Sequence, residues 1–128
     1  MRILLDTHIA LWALTDSPRL SPETRTMILD PSNDIFFSAA TVWEIAIKHR
    51  LARRDMPVSG SEARELFVRS GYVELPITAI HAATTESLPP HHADPFDRIM
   101  VAQAIAEPLR FLTHDRALLP YGHPISLV

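Results

Sequence analysis

A chain of 128 residues with 47% hydrophobic and 21% charged side chains has the composition of one compact globular domain, which excludes disordered and fibrous classes. With 12 Lys and Arg against 15 Asp and Glu the net charge is −3, so the surface as a whole is not a polyanion-binding field, although a local basic patch still fits. The absence of cysteine removes disulfide scaffolds, thiolate zinc sites, iron–sulfur clusters and cysteine nucleophiles together.

In chain order, Ile3-Leu4-Leu5 reads as a short buried strand closed by Asp6-Thr7, and a helix follows through Ile9, Trp12 and Ala13. Ser21-Pro22-Glu23 marks a helix start with Pro22 at the first helical position. Ile35 to Ser38 is a second buried strand, Ala40 to Leu51 a long helix, Glu62 to Val68 another helix, and Tyr72 to Leu75 a strand. The spacing predicts a helix from Ile77 to Leu88, ended by Pro89-Pro90, and one opened by Asp94-Pro95 that runs through Ile105 and stops at Pro108. Arg110 to Thr113 reads as a strand, Asp115 to Leu119 as a short helix and Ile125 to Val128 as a last strand. Strands alternating with helices predict a mainly parallel sheet covered on both faces, a three-layer α/β/α domain spanning residues 1–128.

No apolar run approaches the roughly 20 residues that span a bilayer, and Asp6 interrupts the stretch that a signal peptide would continue. A soluble, cytoplasmic protein without a membrane partner is expected. Glycine occurs only at positions 60, 71 and 122, so neither G-x-G-x-x-G nor the P-loop pattern is present and a nucleotide-binding reading loses its main device.

Asp6, Glu44, Asp97 and Asp115 each follow a predicted strand or lie in the first turns of a helix. In an open parallel sheet such positions lie along one edge, where ligands bind. Each also has a capping explanation: Asp6 and Asp115 as N-caps, Thr41-Val-Trp-Glu44 as a capping box, and Asp94 as cap with Asp97 favoured by the helix dipole. Together they say more. Glu44 is the only ionisable residue between Ala39 and Ile47, and Asp97 leads directly into Ile99-Met-Val-Ala102. Carboxylates in such surroundings need a compensating cation, and Mg²⁺ or Mn²⁺ is the hard ion that oxygen donors select. The chemistry this points to is metal-assisted phosphodiester hydrolysis.

Four strings carry a family resemblance: Leu4-Leu-Asp-Thr-His-Ile-Ala-Leu-Trp12, Ser38-Ala-Ala-Thr-Val-Trp-Glu-Ile-Ala-Ile-Lys48, His92-Ala-Asp-Pro-Phe-Asp-Arg-Ile-Met-Val-Ala-Gln-Ala104 and Leu112-Thr-His-Asp115. In this order and spacing, over nearly the whole chain, the sequence resembles the PIN-domain ribonucleases, and within them the VapC toxins of type II toxin–antitoxin systems. The resemblance implies a PIN-like fold and an endoribonuclease in which Asp6, Glu44, Asp97 and Asp115 hold one or two Mg²⁺ or Mn²⁺ ions and a metal-activated water attacks the scissile phosphate. It implies supporting roles for Asp94, Thr113 and Arg98, an RNA substrate, a small VapB-type antitoxin as partner, and a homodimer.

Other residues have two readings. Lys48, His49, Arg50, Arg53 and Arg54 are either a solvated helix end suited to the dipole or a phosphate-contacting patch beside Glu44. His91 and His92 follow Pro89-Pro90 and lack any zinc-site spacing, so they are read as a solvated loop, and His8 as a structural histidine. Thr7 and Thr113 are either turn residues or hydroxyls that orient a carboxylate, with Thr113 favoured. Trp12 and Trp43 are read as core or interface residues ahead of base-stacking platforms. A phosphoryl-receiving domain needs acidic neighbours and a late lysine, but Asp6 has none and Lys48 is the only lysine; a haloacid-dehalogenase-like phosphatase needs an Asp where His8 stands. A non-catalytic PIN-fold binding protein and a DNA-directed nuclease remain as alternatives.

Overall fold

The computed structural model describes residues 1–54 and 56–128. Five strands, β1 (Arg2–Leu5), β2 (Asp34–Ser38), β3 (Val73–Leu75), β4 (Arg110–Thr113) and β5 (Ile125–Leu127), form one sheet in the order β3-β2-β1-β4-β5, and every pair is parallel. Among the described residues six α-helices accompany them: α1 (Thr7–Leu14), α2 (Pro22–Leu29), α3 (Ala39–Arg50), α4 (Gly60–Arg69), α5 (Ala79–Thr84) and α6 (Pro95–Ala106). The expected parallel α/β/α architecture is therefore present.

The central strands β1 and β4 are apolar on both sides because both sides are covered, whereas the edge strands β3 and β5 are only partly buried. On β1, Ile3 and Leu5 point into one core layer and Leu4 into the other; on β4, Leu112 joins the first layer and Phe111 the second. The first layer takes Ile9 and Leu11 of α1, Ile28 of α2, Ile45 of α3 and Phe67 of α4, with the Phe37 and Phe67 rings 5.0 Å apart. The second is filled from α6 by Met100, Val101, Ala102 and Ala104, with Leu88, just after a short 3₁₀ turn, and Leu118, within a 3₁₀ segment. A buried polar tie crosses the second layer, where Ser38 Oγ donates to Gln103 Oε1 at 2.6 Å. Among the described residues no helix is long and apolar enough to cross a membrane.

Local sequence explains where the elements differ from expectation. The helix predicted over 77–88 is α-helical only over Ala79–Thr84 and continues as a 3₁₀ turn, Thr85–Ser87. Thr78 caps its start by accepting from His81 N, and Pro89 forces Leu88 into the extended region, which ends it. The segment after Asp115 is a 3₁₀ helix, Arg116–Tyr121, that contains Pro120. The Thr41–Glu44 capping box does not form, because β2 feeds α3 directly and Ser38 is the cap, accepting from Ala40 N at 2.9 Å. Thr41 and Glu44 are left inside the helix, free for another use.

Helices α3 and α4 approach closely at Gly60, where a Cβ would stand 2.9 Å from Ala46 Cβ and 3.0 Å from the Val42 carbonyl oxygen. Alanine is the better helix former by up to about 1 kcal/mol, but the clash is with backbone and a fixed methyl, so the steric cost prevails. Gly60→Ala is predicted to destabilise the protein by about 1–3 kcal/mol in urea melts; a stabilised variant would show that the α3–α4 packing is looser than described.

Candidate active site

The strand order reverses beside β1: the chain steps outward through β2 and β3, then returns to β4 on the other flank. The crevice at the carboxyl ends of β1 and β4 is the topological switch point, where open α/β sheets bind ligands. Asp6 leaves β1 at this edge, and its backbone N–H donates to the Leu112 carbonyl at 2.9 Å. Its Oδ1 accepts from Thr7 N at 2.7 Å, so Asp6 is indeed the N-cap of α1, while Oδ2 accepts from Thr113 Oγ1 at 2.6 Å. Thr113 Oγ1 also accepts from Asp115 N at 3.0 Å. One buried hydroxyl at the end of β4 thereby positions two acidic residues.

Glu44 reaches the same crevice from α3 and is only 4% exposed. Thr7 Oγ1 donates to its Oε1 at 2.7 Å and Lys48 Nζ to its Oε2 at 2.5 Å. Lys48 is thus drawn out of the expected basic patch into an ion pair one helical turn from Glu44. Asp97 comes from the first turn of α6, below Asp94, whose Oδ1 caps that helix by accepting from Phe96 N at 2.8 Å and Asp97 N at 3.4 Å. Asp115 caps the following 3₁₀ helix through Oδ1. The capping readings for Asp6, Asp94 and Asp115 are correct, and they do not compete with convergence on the crevice; the cap reading for Glu44 is overturned.

The electrostatic consequence falls on Asp97. Loss of hydration raises its carboxyl most, and the charges of Asp6, Asp94, Glu44 and Asp115 raise it further, to about 8. Burial also raises Asp6, against the lowering effect of its bonds from Thr113 and Thr7. The crevice therefore carries more negative charge than its surroundings compensate.

His92 corrects the solvated-loop reading. It is half-buried, its Nδ1 accepts from Asp94 N at 3.0 Å, and its Nε2 lies 3.1 Å from Asp115 Oδ2 and 3.5 Å from Asp97 Oδ2. Because Nδ1 is an acceptor, the proton sits on Nε2, so His92 donates to the carboxylates in this arrangement. Its spacing two residues before the helix cap was the available signal. Arg98, next in sequence to Asp97, does not face a carboxylate: its guanidinium donates to the carbonyls of Thr85 and Pro89 at 3.0 Å and to the Tyr121 hydroxyl at 3.0 Å, with longer bonds to Leu88 and His92. Its support is indirect, fastening the segment that carries His92. Thr7, ranked behind Thr113 from sequence, is equally engaged. Arg50, Arg53 and Arg54 lie exposed beyond Lys48. Trp43 is 60% exposed and meets Phe96 edge to face, so it is not a core residue.

The donor set tests the fit of a cation. One oxygen each of Asp97 and Asp115 lie within 4.8 Å of each other and of the His92 ring, whose Nε2 proton faces them; Asp6 and Glu44 stand outside that group, and the chain has no cysteine. Oxygen donors with surplus negative charge suit a hard divalent ion of the Mg²⁺ or Mn²⁺ class.

Comparison with known proteins bears on the family and the fold. The PIN domain family model matches residues 3–122, and the chain belongs to that family. It is 27% identical over 125 residues to Ribonuclease VapC22 of Mycobacterium tuberculosis, covering 95% of this chain and 93% of that protein. A 71-residue match, 38% identical and covering 52% of this chain and 50% of the other, is to Ribonuclease VapC16 of the same organism. The fold is shared with a chain of VapBC2 from Rickettsia felis bound to a promoter DNA fragment (TM-score 0.73, 15% identity, 100% and 98% of the two chains). It is shared also with a chain of DNA-bound VapBC from Salmonella typhimurium (TM-score 0.70, 17% identity, 100% and 97%).

The raised Asp97 carboxyl makes stability depend on pH. The ordinary value for the unfolded chain is 3.8, whereas the folded group keeps its proton to about 8. Between these values the folded state binds more protons, so its stability falls as pH rises through that window. Asp97→Asn removes the titration. In EDTA the variant is predicted to exceed wild type in stability above pH 8 by an amount on the order of a few kcal/mol, with the gap closing toward pH 4. Urea melts across that range check it; a gap of constant or opposite sign contradicts the charge balance described.

Proposed function

We propose that this protein is a divalent-metal-dependent endoribonuclease of the VapC toxin kind, one PIN domain whose partners are an RNA substrate and a small VapB-type antitoxin, and which pairs as a homodimer. The observation that carries the reading is the meeting of Asp6, Glu44, Asp97 and Asp115, from four separate elements, at the switch-point crevice with Asp97 raised to about 8. The names of the two M. tuberculosis relatives support the ribonuclease activity, and the structural neighbours, which are VapBC complexes, support the antitoxin.

In this reading the four carboxylates hold one or two Mg²⁺ or Mn²⁺ ions. When bound, such an ion offsets charge on the phosphate oxygens and lowers the pKa of water at the site. The protein's own residues supply position. Thr113 fixes the Asp6 carboxylate through Oδ2, and Thr7 fixes Glu44 through Oε1. Lys48 holds the other Glu44 oxygen and keeps a positive charge beside the crevice. The His92 Nε2 proton is directed at Asp115, next to Asp97, limiting the rotation of the group that sits on the more open side. Hydrolysis adds water across one P–O bond, leaving a phosphate on one fragment and a hydroxyl on the other.

Purified protein is predicted to cut single-stranded RNA with Mg²⁺ or Mn²⁺, to stop in excess EDTA, and to lose activity by about 10²-fold or more on Asp97→Asn. Sequencing of RNA 5′ ends after a pulse of expression, wild type against this variant, reads the cut sites. Cleavage that persists in chelator contradicts the metal-dependent reading, equal cleavage of DNA of the same sequence returns a nuclease of broader substrate, and no cleavage with metal bound returns the binding-protein alternative.

A further inference from the structure

Trp12, expected from sequence in a core or interface, forms a wall of an open cleft beside the carboxylates. We propose that this cleft binds a nucleotide of single-stranded RNA next to the scissile bond, its base against Trp12 and flanking phosphates against Arg19 and Arg116. The inference rests on the ribonuclease reading and extends it to how substrate is held.

The cleft measures about 530 Å³, with Asp6 and Asp115 at its base and Trp12, Arg19, His114 and Arg116 around it. A second cleft of about 360 Å³ shares Trp12 and Arg19 and reaches Arg54. The two clefts share His8, Trp12 and Arg19, so their linings together run from Asp6 and Asp115 to a third arginine. His114 meets the indole edge to face at 5.1 Å, the His8 ring lies 6.2 Å from it, and the Arg19 guanidinium sits over the ring at 5.9 Å from its centroid, a place that a stacking base would take as Arg19 swings to a phosphate. Arg19, Arg54 and Arg116 are all exposed, so each is able to turn toward a phosphate.

Charge decides why this path matters. A crevice of four carboxylates in a chain of net charge −3 repels a polyanion, so RNA needs local cations to approach. Lys48 is committed to Glu44 and Arg98 to backbone carbonyls, which takes both out of that role. The arginines around Trp12 are exposed cations that line the clefts beside the crevice. An aromatic face combined with a cationic rim is the pattern by which proteins hold single strands, since every base has a π-face and stacking tolerates sequence. An acidic peptide would use the arginines but gain little from the indole face.

The test measures binding in EDTA, where no cleavage intrudes. Trp12 and Trp43 are the only tryptophans, so Trp43→Phe leaves Trp12 as sole reporter. A short single-stranded RNA is expected to quench its fluorescence saturably. Anisotropy of labelled RNA on the otherwise native chain should show affinity falling about tenfold on Trp12→Ala and largely kept on Trp12→Phe. Because Trp12 also packs against the first core layer, the exposed pair Arg19→Gln with Arg116→Gln gives a second reading: the slope of log affinity against log salt should shrink by about 0.7 for each phosphate that is no longer neutralised. An RNA-insensitive Trp12 signal, an unchanged salt slope, or an abasic oligomer bound as tightly as the base-bearing one overturns the proposal. A signal that answers to an acidic peptide but not to RNA also overturns it and gives the cleft to a protein segment. Metal-dependent cleavage that survives any of these outcomes leaves the ribonuclease reading intact, whereas wild type without cleavage removes that reading independently.

Discussion

Mutual repulsion among carboxylates held close together, and partly dry, is the constraint around which this molecule is arranged. Four of them arrive at one crevice from β1, α3, α6 and the end of β4. Isolated, each would lose hydration at a cost that folding cannot easily absorb. The protein meets most of that cost with donors on the spot: Thr113 and Thr7 N–H for Asp6, Thr7 Oγ1 and Lys48 for Glu44, His92 for Asp115. Asp97 has the least compensation, and its carboxyl accordingly holds a proton until about pH 8. A proton there offsets part of the crowded negative charge.

The rest of the fold supports that crowding. A sheet with all strands parallel sends every carboxyl end to one edge, and the reversal of strand order beside β1 opens the crevice there. Two dry layers anchor the strands from both faces, so the ends of β1 and β4 are fixed to each other through the Asp6 N–H and the Leu112 carbonyl. Ser38 bonded to Gln103 ties the sheet to α6, which carries Asp97, and Arg98 clamps the loop that carries His92. These bonds touch no substrate; they reduce the freedom of the groups that would.

Much of this was legible in the sequence, and the exceptions have physical causes. Apolar runs of three or four residues separated by helical patterns announce a parallel sheet, since only strands covered on both faces lack alternation. The acidic positions at strand ends follow from the same pattern, and the family resemblance named them. What local pattern cannot convey is what a side chain meets across the fold. Glu44 matches a capping box in sequence, yet Ser38 takes the cap because strand runs straight into helix. Lys48 reads as one of five basic residues at a helix end until Glu44, one turn earlier, claims it. Arg98 borders an acidic site residue in sequence while its guanidinium donates to the carbonyls of Thr85, Leu88 and Pro89. His92 looks like loop because its partners, Asp97 and Asp115, come from five residues later and from beyond β4. Trp12 fits the apolar stripe of α1, but its outer face opens on the cleft.

The proposed function requires Asp6, Glu44, Asp97 and Asp115 to act together as one cation site, in addition to the helix capping by Asp6 and Asp115. Calorimetric titration of the chelator-stripped protein with Mn²⁺, wild type beside Asp97→Asn, tests it most directly. The expected result is saturable binding by wild type, with one or two ions per chain and protons released as Asp97 ionises, and a loss of about tenfold or more in affinity in the variant. Equal affinity and equal proton release in the two proteins would contradict it.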